Sequence, residues 1–398
     1  MHEQTWQKLR SRAGKQRVRR RAVSVAVAVT AGVMTVGALV PPASAATATR
    51  PDTVQQSLSA LVRSDGLPAA LASVKDRDGR DGREGRTRSY TAGVGDLATG
   101  SKVPRDGQVR IGSNTKMFTA VVMLQLVGEG KVGLDTAIDT YLPGLVRGDG
   151  TDGRRITVRQ LLQHTSGLPE YTDELDITAL QHRYSEPREL LDIALKQKAD
   201  FSPGAKWEYS NTNYVVAGLI VQKVTGRPVG EEITRRVIDR AGLRHTYFPA
   251  PGDMTVHEPH PKGYLRDSAD GPLRDYTEMD PSWGWAAGAM VSTNTDLNRF
   301  HTALLGGRLL PAAQLAEIRT TVPADDLGEG VRYGLGLASR PLSCGGVYWG
   351  HGGDIPGYET RGGATDDGRA ASVAVTAVPT DEAAARRVEK TVDTALCR

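Results

Sequence analysis

The sequence predicts an α+β protein. An antiparallel sheet formed by the two chain ends is flanked by helices and carries an inserted all-helical subdomain. Three observations predict this. Strand-like runs occur early, at Pro68 to Lys75 and Tyr90 to Gly95, and return only after Trp285, at Ala287–Ser292, Tyr333–Ser339, Val347–Gly350, Tyr358–Ala364 and Ser372–Val378. Between them, from Met117 to about residue 280, apolar residues recur mostly at helical spacing. A last helical run, Asp381 to Leu396, closes the chain.

Taken in order, the elements begin with a leader. A basic stretch ending at Arg19-Arg20-Arg21 precedes an apolar run from Ala22 to Val40, then Pro41-Pro42-Ala43-Ser44-Ala45. The run is nearly long enough to span a bilayer. Its Ala, Thr and Gly content and the small residues before the cleavage point favour an export signal, residues 1–45, removed after Ala45. That leader holds eight Lys/Arg and one acid, leaving 42 basic against 45 acidic residues in the rest, a net of −3. The basic pI therefore belongs to the leader, and no basic field remains to argue for nucleic acid.

Residues 46–52 are expected to be a disordered start. Val54, Leu58, Leu61 and Val62 then mark a helix that Gly66 stops. The mixed charges and glycines of residues 76–86 fit a solvated hairpin loop between the first two strands. Met117 to Val127 is apolar on nearly every side, as a buried helix is. Val158–His164, Arg188–Gln197, Tyr214–Val224 and Glu231–Ala241 are the clearest helices of the middle. The cleft between sheet and helical subdomain is the expected place for a site. Two cysteines, Cys344 and Cys397, are most simply one disulfide in an exported protein, tying a late strand to the last helix. Their separation does not suit a metal site, and the eight histidines form no ligand pattern, so no metal is expected. No cofactor is expected either: Gly93-Val94-Gly95 lacks the third glycine and the helix of a dinucleotide loop.

Three short motifs carry chemistry. In Ser113-Asn114-Thr115-Lys116 the serine sits where a strand meets the buried helix. Helical spacing puts the Lys116 ammonium beside its hydroxyl. The helix N-terminus favours an oxyanion there. In Tyr209-Ser210-Asn211, after the Ser202-Pro203-Gly204 turn, the phenol is a candidate base and Asn211 a partner for a substrate amide. In His351-Gly352-Gly353, at the end of Val347–Gly350, the glycines allow close approach of backbone to ligand. An edge strand there suits an extended peptide.

Each motif is weak alone; their order and spacing together resemble the serine penicillin-binding enzymes, in particular the class C β-lactamase-like branch. The chain is most similar to the secreted D-alanyl-D-alanine carboxypeptidases of actinomycetes. The resemblance runs from about residue 55 to Cys397. It includes Thr140-Tyr141-Leu142-Pro143-Gly144-Leu145, His164 with Ser166-Gly167-Leu168, Tyr209-Ser210-Asn211-Thr212-Asn213 and Tyr333-Gly334-Leu335-Gly336-Leu337. It implies the DD-peptidase/β-lactamase fold over residues 46–398 and a secreted serine hydrolase acting through an acyl-enzyme. The implied substrate is a small peptide or acyl compound such as a peptidoglycan stem peptide, with β-lactams as covalent ligands. It implies Ser113 as nucleophile, Lys116 or Tyr209 as first base, Tyr209 as proton relay to the leaving amine and Asn211 as holder of the acyl side chain. Trp283 lies beside the cleft, and His351 replaces the lysine of other branches. The resemblance further implies that the N–H groups of Ser113 and Asp354 form the oxyanion hole, and the two cysteines match that group's disulfide.

The departures fall where a terminal carboxylate binds. The carboxypeptidases carry His-Thr-Gly-Thr; here His351-Gly352-Gly353-Asp354 lacks both hydroxyls and adds a carboxylate, which is expected to repel another. The relatives' arginine six residues before the first cysteine is Ala338 here, with Arg340 on the same strand face and Arg361 as candidate replacements. An esterase, a D-amino-acid amidase or a class C-like β-lactamase shares the same nucleophile. A non-catalytic penicillin-recognising module is the reading from another class.

Overall fold

The computed structural model describes residues 52–79, 85–266 and 271–398. The leader lies outside them, as does the expected disordered start at 46–52 except for Asp52, which is the cap of the first helix. Eight strands form the main antiparallel sheet: β1 (Ala69–Lys75), β2 (Thr87–Gly93), β3 (Val322–Pro323), β4 (Arg332–Tyr333), β5 (Ala338–Pro341), β6 (Val347–Ile355), β7 (Tyr358–Ala364) and β8 (Ala370–Val375). Their order is β2-β1-β8-β7-β6-β5-β4-β3, so both chain ends build one sheet. Among the described residues five helices exceed ten residues: α1 (Thr53–Arg63), α2 (Thr115–Gly128), α3 (Thr212–Thr225), α4 (Asn294–Leu305) and α5 (Glu382–Leu396).

Strand alternation sorts the sheet into faces. Ala70, Ala72 and Val74 of β1 pack with Val54, Leu58 and Leu61 of α1 and Val388, Val392 and Leu396 of α5. Ser73, one residue out of phase, bonds Thr295 of α4 across 3.0 Å. The Asp52 carboxylate starts α1 by accepting the Val54 N–H at 2.9 Å, as an N-cap does. Helix α2 is buried from Thr115 to Leu126, which accounts for its nearly uniform apolarity. The disulfide Cys344–Cys397 joins the turn after β5 to the end of α5.

Several boundaries differ from expectation. The strand expected over Ala287–Ser292 is a helical turn, Trp285–Gly288, followed by only two strand residues, Val291–Ser292. Helices α4 and Ala312–Ile318 were not foreseen. The buried face of α4 carries Asn294, Asp296, Asn298 and His301, which break its apolar period. The single strand expected over Tyr333–Ser339 is split into β4 and β5 by a turn in which Gly336 takes φ of 81°. The helical middle also holds two small hairpins, Arg147–Gly148 with Thr151–Asp152 and Tyr264–Arg266 with Leu273–Asp275. Most relevant to function, β6 does not stop at Gly350 but continues through the glycine motif to Ile355. Its pairing with β5 ends at Ala338–Gly350, so one edge is unpaired by β5 from His351 onward.

Candidate active site

Ser113 lies in a single 3₁₀ turn, Gly112–Asn114, leading into α2. Gly112 has φ of 50°, and a Cβ there would come within 3.0 Å of both the N and O atoms of Asp354. The start of α2 therefore abuts β6 backbone to backbone, with the Asp354 amide beside the serine turn. Gly353 is equally constrained: a Cβ would lie 2.0 Å from the Ile111 carbonyl.

Lys116, fully buried, uses its three protons on Ser113 Oγ (3.0 Å), Asn211 Oδ1 (2.6 Å) and the Ala287 carbonyl (2.8 Å). Burial draws its ammonium down to about 7, with the Glu170 carboxylate opposing. Tyr209 hydrogen-bonds Ser113, and burial nevertheless pushes its phenol well above the ordinary value. At neutral pH Lys116 thus exchanges a proton readily while Tyr209 keeps its own. Asn211 precedes α3 without capping it. Its Nδ2 donates to Glu170 Oε2 at 3.0 Å, and its backbone N–H reaches the same oxygen at 2.7 Å. Glu170 is the residue that sequence reasoning missed. It is buried, it fixes the Asn211 amide so that the oxygen faces Lys116, and it stands two residues after the quoted Ser166-Gly167-Leu168 stretch.

The third motif differs in detail from its expectation. His351 sits inside β6, buried, with Nδ1 2.5 Å from the Gly352 carbonyl and Nε2 2.9 Å from the Tyr333 hydroxyl. Burial first, then the Lys116 charge, pulls its imidazole down to about 3. His351 is therefore neutral and does not replace a lysine's charge.

Gly352 pairs across the strands with Arg361 of β7. The Arg361 guanidinium crosses over it to Asp354, at 2.6 Å to Oδ1 and 3.3 Å to Oδ2. A Cβ at position 352 would sit 3.1 Å from Arg361 Cδ and Nη1. The two departures from the carboxypeptidase motif are thus coupled: the bare glycine gives the guanidinium room, and the aspartate bonds it. The expected repulsion by a free Asp354 charge is corrected accordingly, because Arg361 neutralises it. Burial opposes the charge of Arg361, but Asp354 and Glu359 hold it protonated. Arg340 is engaged as well, with Glu389 of α5 at 2.8 Å and the Leu327 carbonyl at 3.0 Å.

Two hollows meet at Ser113. One, of about 540 Å³, is lined by Tyr209, Tyr333, Arg340, His351, Asp354 and Arg361 among others. The smaller, of about 230 Å³, is lined by Trp283, Tyr171, Asn211 and Ile355. Trp283 is buried in the turn Pro281–Trp283, where its carbonyl accepts the Tyr171 hydroxyl. Every sequence-predicted residue of the three motifs, together with Trp283 and Arg340, lines one hollow or the other, save Lys116, which lies beneath the serine.

The beta-lactamase family model matches residues 12–395. Penicillin-binding protein 4* of Bacillus subtilis (strain 168) is 25% identical over 283 residues, 68% of this chain and 61% of that protein. Protein flp of Staphylococcus aureus (strain COL) is 32% identical over 168 residues, 42% of this chain and 33% of that one. The chain thus spans between about one third and six tenths of these curated relatives' lengths. Among solved structures, a D-stereospecific amidohydrolase from Streptomyces sp. is 39% identical, with a TM-score of 0.77 over 85% of this chain and 97% of that one. A D-amino acid amidase from Ochrobactrum anthropi SV3 is 28% identical, with a TM-score of 0.74 over 86% and 96%.

Proposed function

We propose a substrate class for a chain that belongs to the beta-lactamase family and is a serine hydrolase: amides of D-amino acids, and related acyl compounds, whose leaving group is uncharged. The observation that carries the reading is the Asp354–Arg361 pair lying over Gly352. It fills the end of the cleft where a carboxypeptidase receives a terminal carboxylate, and it offers that carboxylate neither hydroxyls nor an unpaired cation. The D-stereospecific amidohydrolase and the D-amino acid amidase, named above, support the same class by their likeness to this chain.

In this reading neutral Lys116 takes the Ser113 proton as Oγ bonds to the carbonyl carbon. The oxyanion is held by the N–H groups of Ser113 and Asp354. As the C–N bond breaks, Tyr209 passes a proton to the departing nitrogen and recovers one from Lys116. Water then cleaves the acyl-Ser113 ester, restoring the hydroxyl. Asn211, fixed by Glu170, orients Lys116 and borders the acyl hollow beside Trp283.

A second reading, the D-alanyl-D-alanine carboxypeptidase acting on a peptidoglycan-type peptide, is favoured by one observation: Arg340 and Arg361 both line the larger hollow. A substrate carboxylate must then displace Glu389 or Asp354. The test is a parallel assay of ammonia release from D- and L-phenylalanine amide and of D-alanine release from a diacyl-Lys-D-Ala-D-Ala peptide, with Ser113→Ala as control. Serine-dependent, D-selective ammonia release is expected to dominate. Faster D-alanine release overturns the amidase reading and leaves the second. Esters, and β-lactams as covalent Ser113 ligands, belong to the same acylating chemistry.

We also propose export with removal of residues 1–45. The disulfide is in keeping with an oxidising compartment, and N-terminal sequencing of secreted protein is expected to begin at Ala46.

A further inference from the structure

His164 is unusual for two reasons that concern the same ring. Its φ is 60°, a left-handed conformation that non-glycine residues rarely adopt. Its buried side chain makes no contact that a surface turn would need. Instead it stacks on Tyr209, with ring centroids 4.3 Å apart, and bonds three further groups. The Ser210 N–H donates to Nδ1 at 3.2 Å, and the Asn213 Nδ2 lies at the same distance from that nitrogen. Nδ1 is therefore an acceptor, and in the neutral ring the proton is on Nε2. From Nε2 it is donated to the Tyr333 hydroxyl, 3.2 Å away.

The direction of every later link follows. Having accepted from His164, Tyr333 donates its own proton to His351 Nε2 at 2.9 Å. Tyr214 hydrogen-bonds the same hydroxyl and gives its own proton to the Leu162 carbonyl, but the Gly352 carbonyl can only accept, so His351 Nδ1 carries the ring proton and Nε2 is left to accept from Tyr333. With Nε2 accepting, His351 carries its proton on Nδ1, and that N–H is 2.5 Å from the Gly352 carbonyl it donates to. The chain starts on the backbone of the Tyr209 motif and ends on the backbone of the glycine motif. It thus links two of the three motifs through His164 and Tyr333, which belong to neither.

We infer that His164 and Tyr333 are positioning residues that hold His351 as the neutral Nδ1–H tautomer, tying the Gly352 carbonyl and adding no further charge to the leaving-group wall. This goes beyond the proposed substrate, since the chain of donors holds whichever acyl compound the cleft takes. At this left-handed position the histidine ring supplies the Nε2–H to Tyr333, which a glycine has no side chain to provide.

The experiment is nitrogen NMR at neutral pH on the full mature protein with isotopically labelled histidine. His351→Gln and His164→Gln serve to assign the two rings. The expected wild-type spectrum has His351 protonated on Nδ1 alone and His164 on Nε2 alone. In Tyr333→Phe, His351 is expected to leave the single tautomer, with kcat for the best substrate falling about tenfold and KM little changed. A purely structural role for Tyr333 leaves the His351 signature as it was, and that result overturns the inference. So does a wild-type His351 that is protonated on Nε2 or on both nitrogens. If Tyr333→Phe does not fold, the wild-type spectrum alone decides. The tautomer readings require no substrate, so a failed amidase assay and a failed tautomer assignment remain distinct.

Discussion

The two ends of the cleft are built from different materials. At the acylating end, Ser113, Lys116, Asn211 and Glu170 form one bonded line in which every group serves the next, and its cation is buried without a direct ion pair. At the leaving-group end, Arg340, Arg361, Asp354 and Glu389 are paired cation to anion, around a histidine held neutral. A buried amine with no ion pair loses its proton easily, which suits a base. Paired arginines keep their charge but have it already spoken for, which suits an uncharged leaving group. In the proposed function the chemistry of attack and the choice of substrate are thus separated, and each can be perturbed alone.

The largest perturbation removes what both ends share. Ser113→Ala is expected to lower turnover of every substrate on the order of 10⁵-fold, measured as loss of ammonia or D-alanine release from folded protein. Next, Lys116→Ala strikes the acylating end alone and is expected to cost about 10³-fold in kcat with substrate preference unchanged. The same residue sets the pH profile. The base is the neutral amine, which exists above its pKa, so wild-type activity is expected to rise with pH through about 7 and to fall below it. A profile with no ascending limb near 7 removes Lys116 from the role.

The disulfide sharpens the comparison from the other side. It anchors α5, and α5 carries Glu389, the partner of Arg340. Replacing both Cys344 and Cys397 by serine opens a loop with a sequence separation of 53 and is expected to cost about 4 kcal/mol of stability. Denaturant unfolding measures it, and substrate preference is expected to loosen while the acylation rate on a simple ester holds. The smallest expected effect is the most specific. Asp354→Thr removes the nearer of the carboxylates on Arg361, leaving Glu359, and restores one hydroxyl; it is expected to raise D-alanine release from the diacyl tripeptide about tenfold. Adding Gly352→Thr is expected to displace the guanidinium, given the 3.1 Å approach of a Cβ there, and to cancel part of that gain. Unchanged kinetics in Asp354→Thr removes the ion pair from substrate choice.

Much of the acylating end was legible in the sequence because it is local. Ser113 and Lys116 lie three apart on a helix, so chain geometry alone brings them together. The split sheet was legible from where strand-like runs began and ended. Less legible was α4, whose buried Asn298 bonds Ser73 and Ser372 across the sheet and so lacks an apolar stripe. Glu170 was overlooked because a single carboxylate in a loop carries no pattern; its role appears only once α3 brings Asn211 to it. The meaning of Gly352 and Asp354 was half legible. Their departure from the carboxypeptidase motif was plain, but the repulsion inferred from it was not what the fold contains, since Arg361 comes from the next strand.

By itself the sequence determined the proposed nucleophile, its lysine, the tyrosine motif, the cysteine pair and the architecture that places them in one cleft. These rest on short spacings and on periodicities that any stretch of chain carries within itself. Only the tertiary structure decided the charge states: that Lys116 gives up its proton near neutral pH, that His351 is uncharged and that Asp354 is paired. Those depend on which groups from distant segments come within a few ångströms and on how far water is excluded, and neither is encoded in a residue's neighbours along the chain.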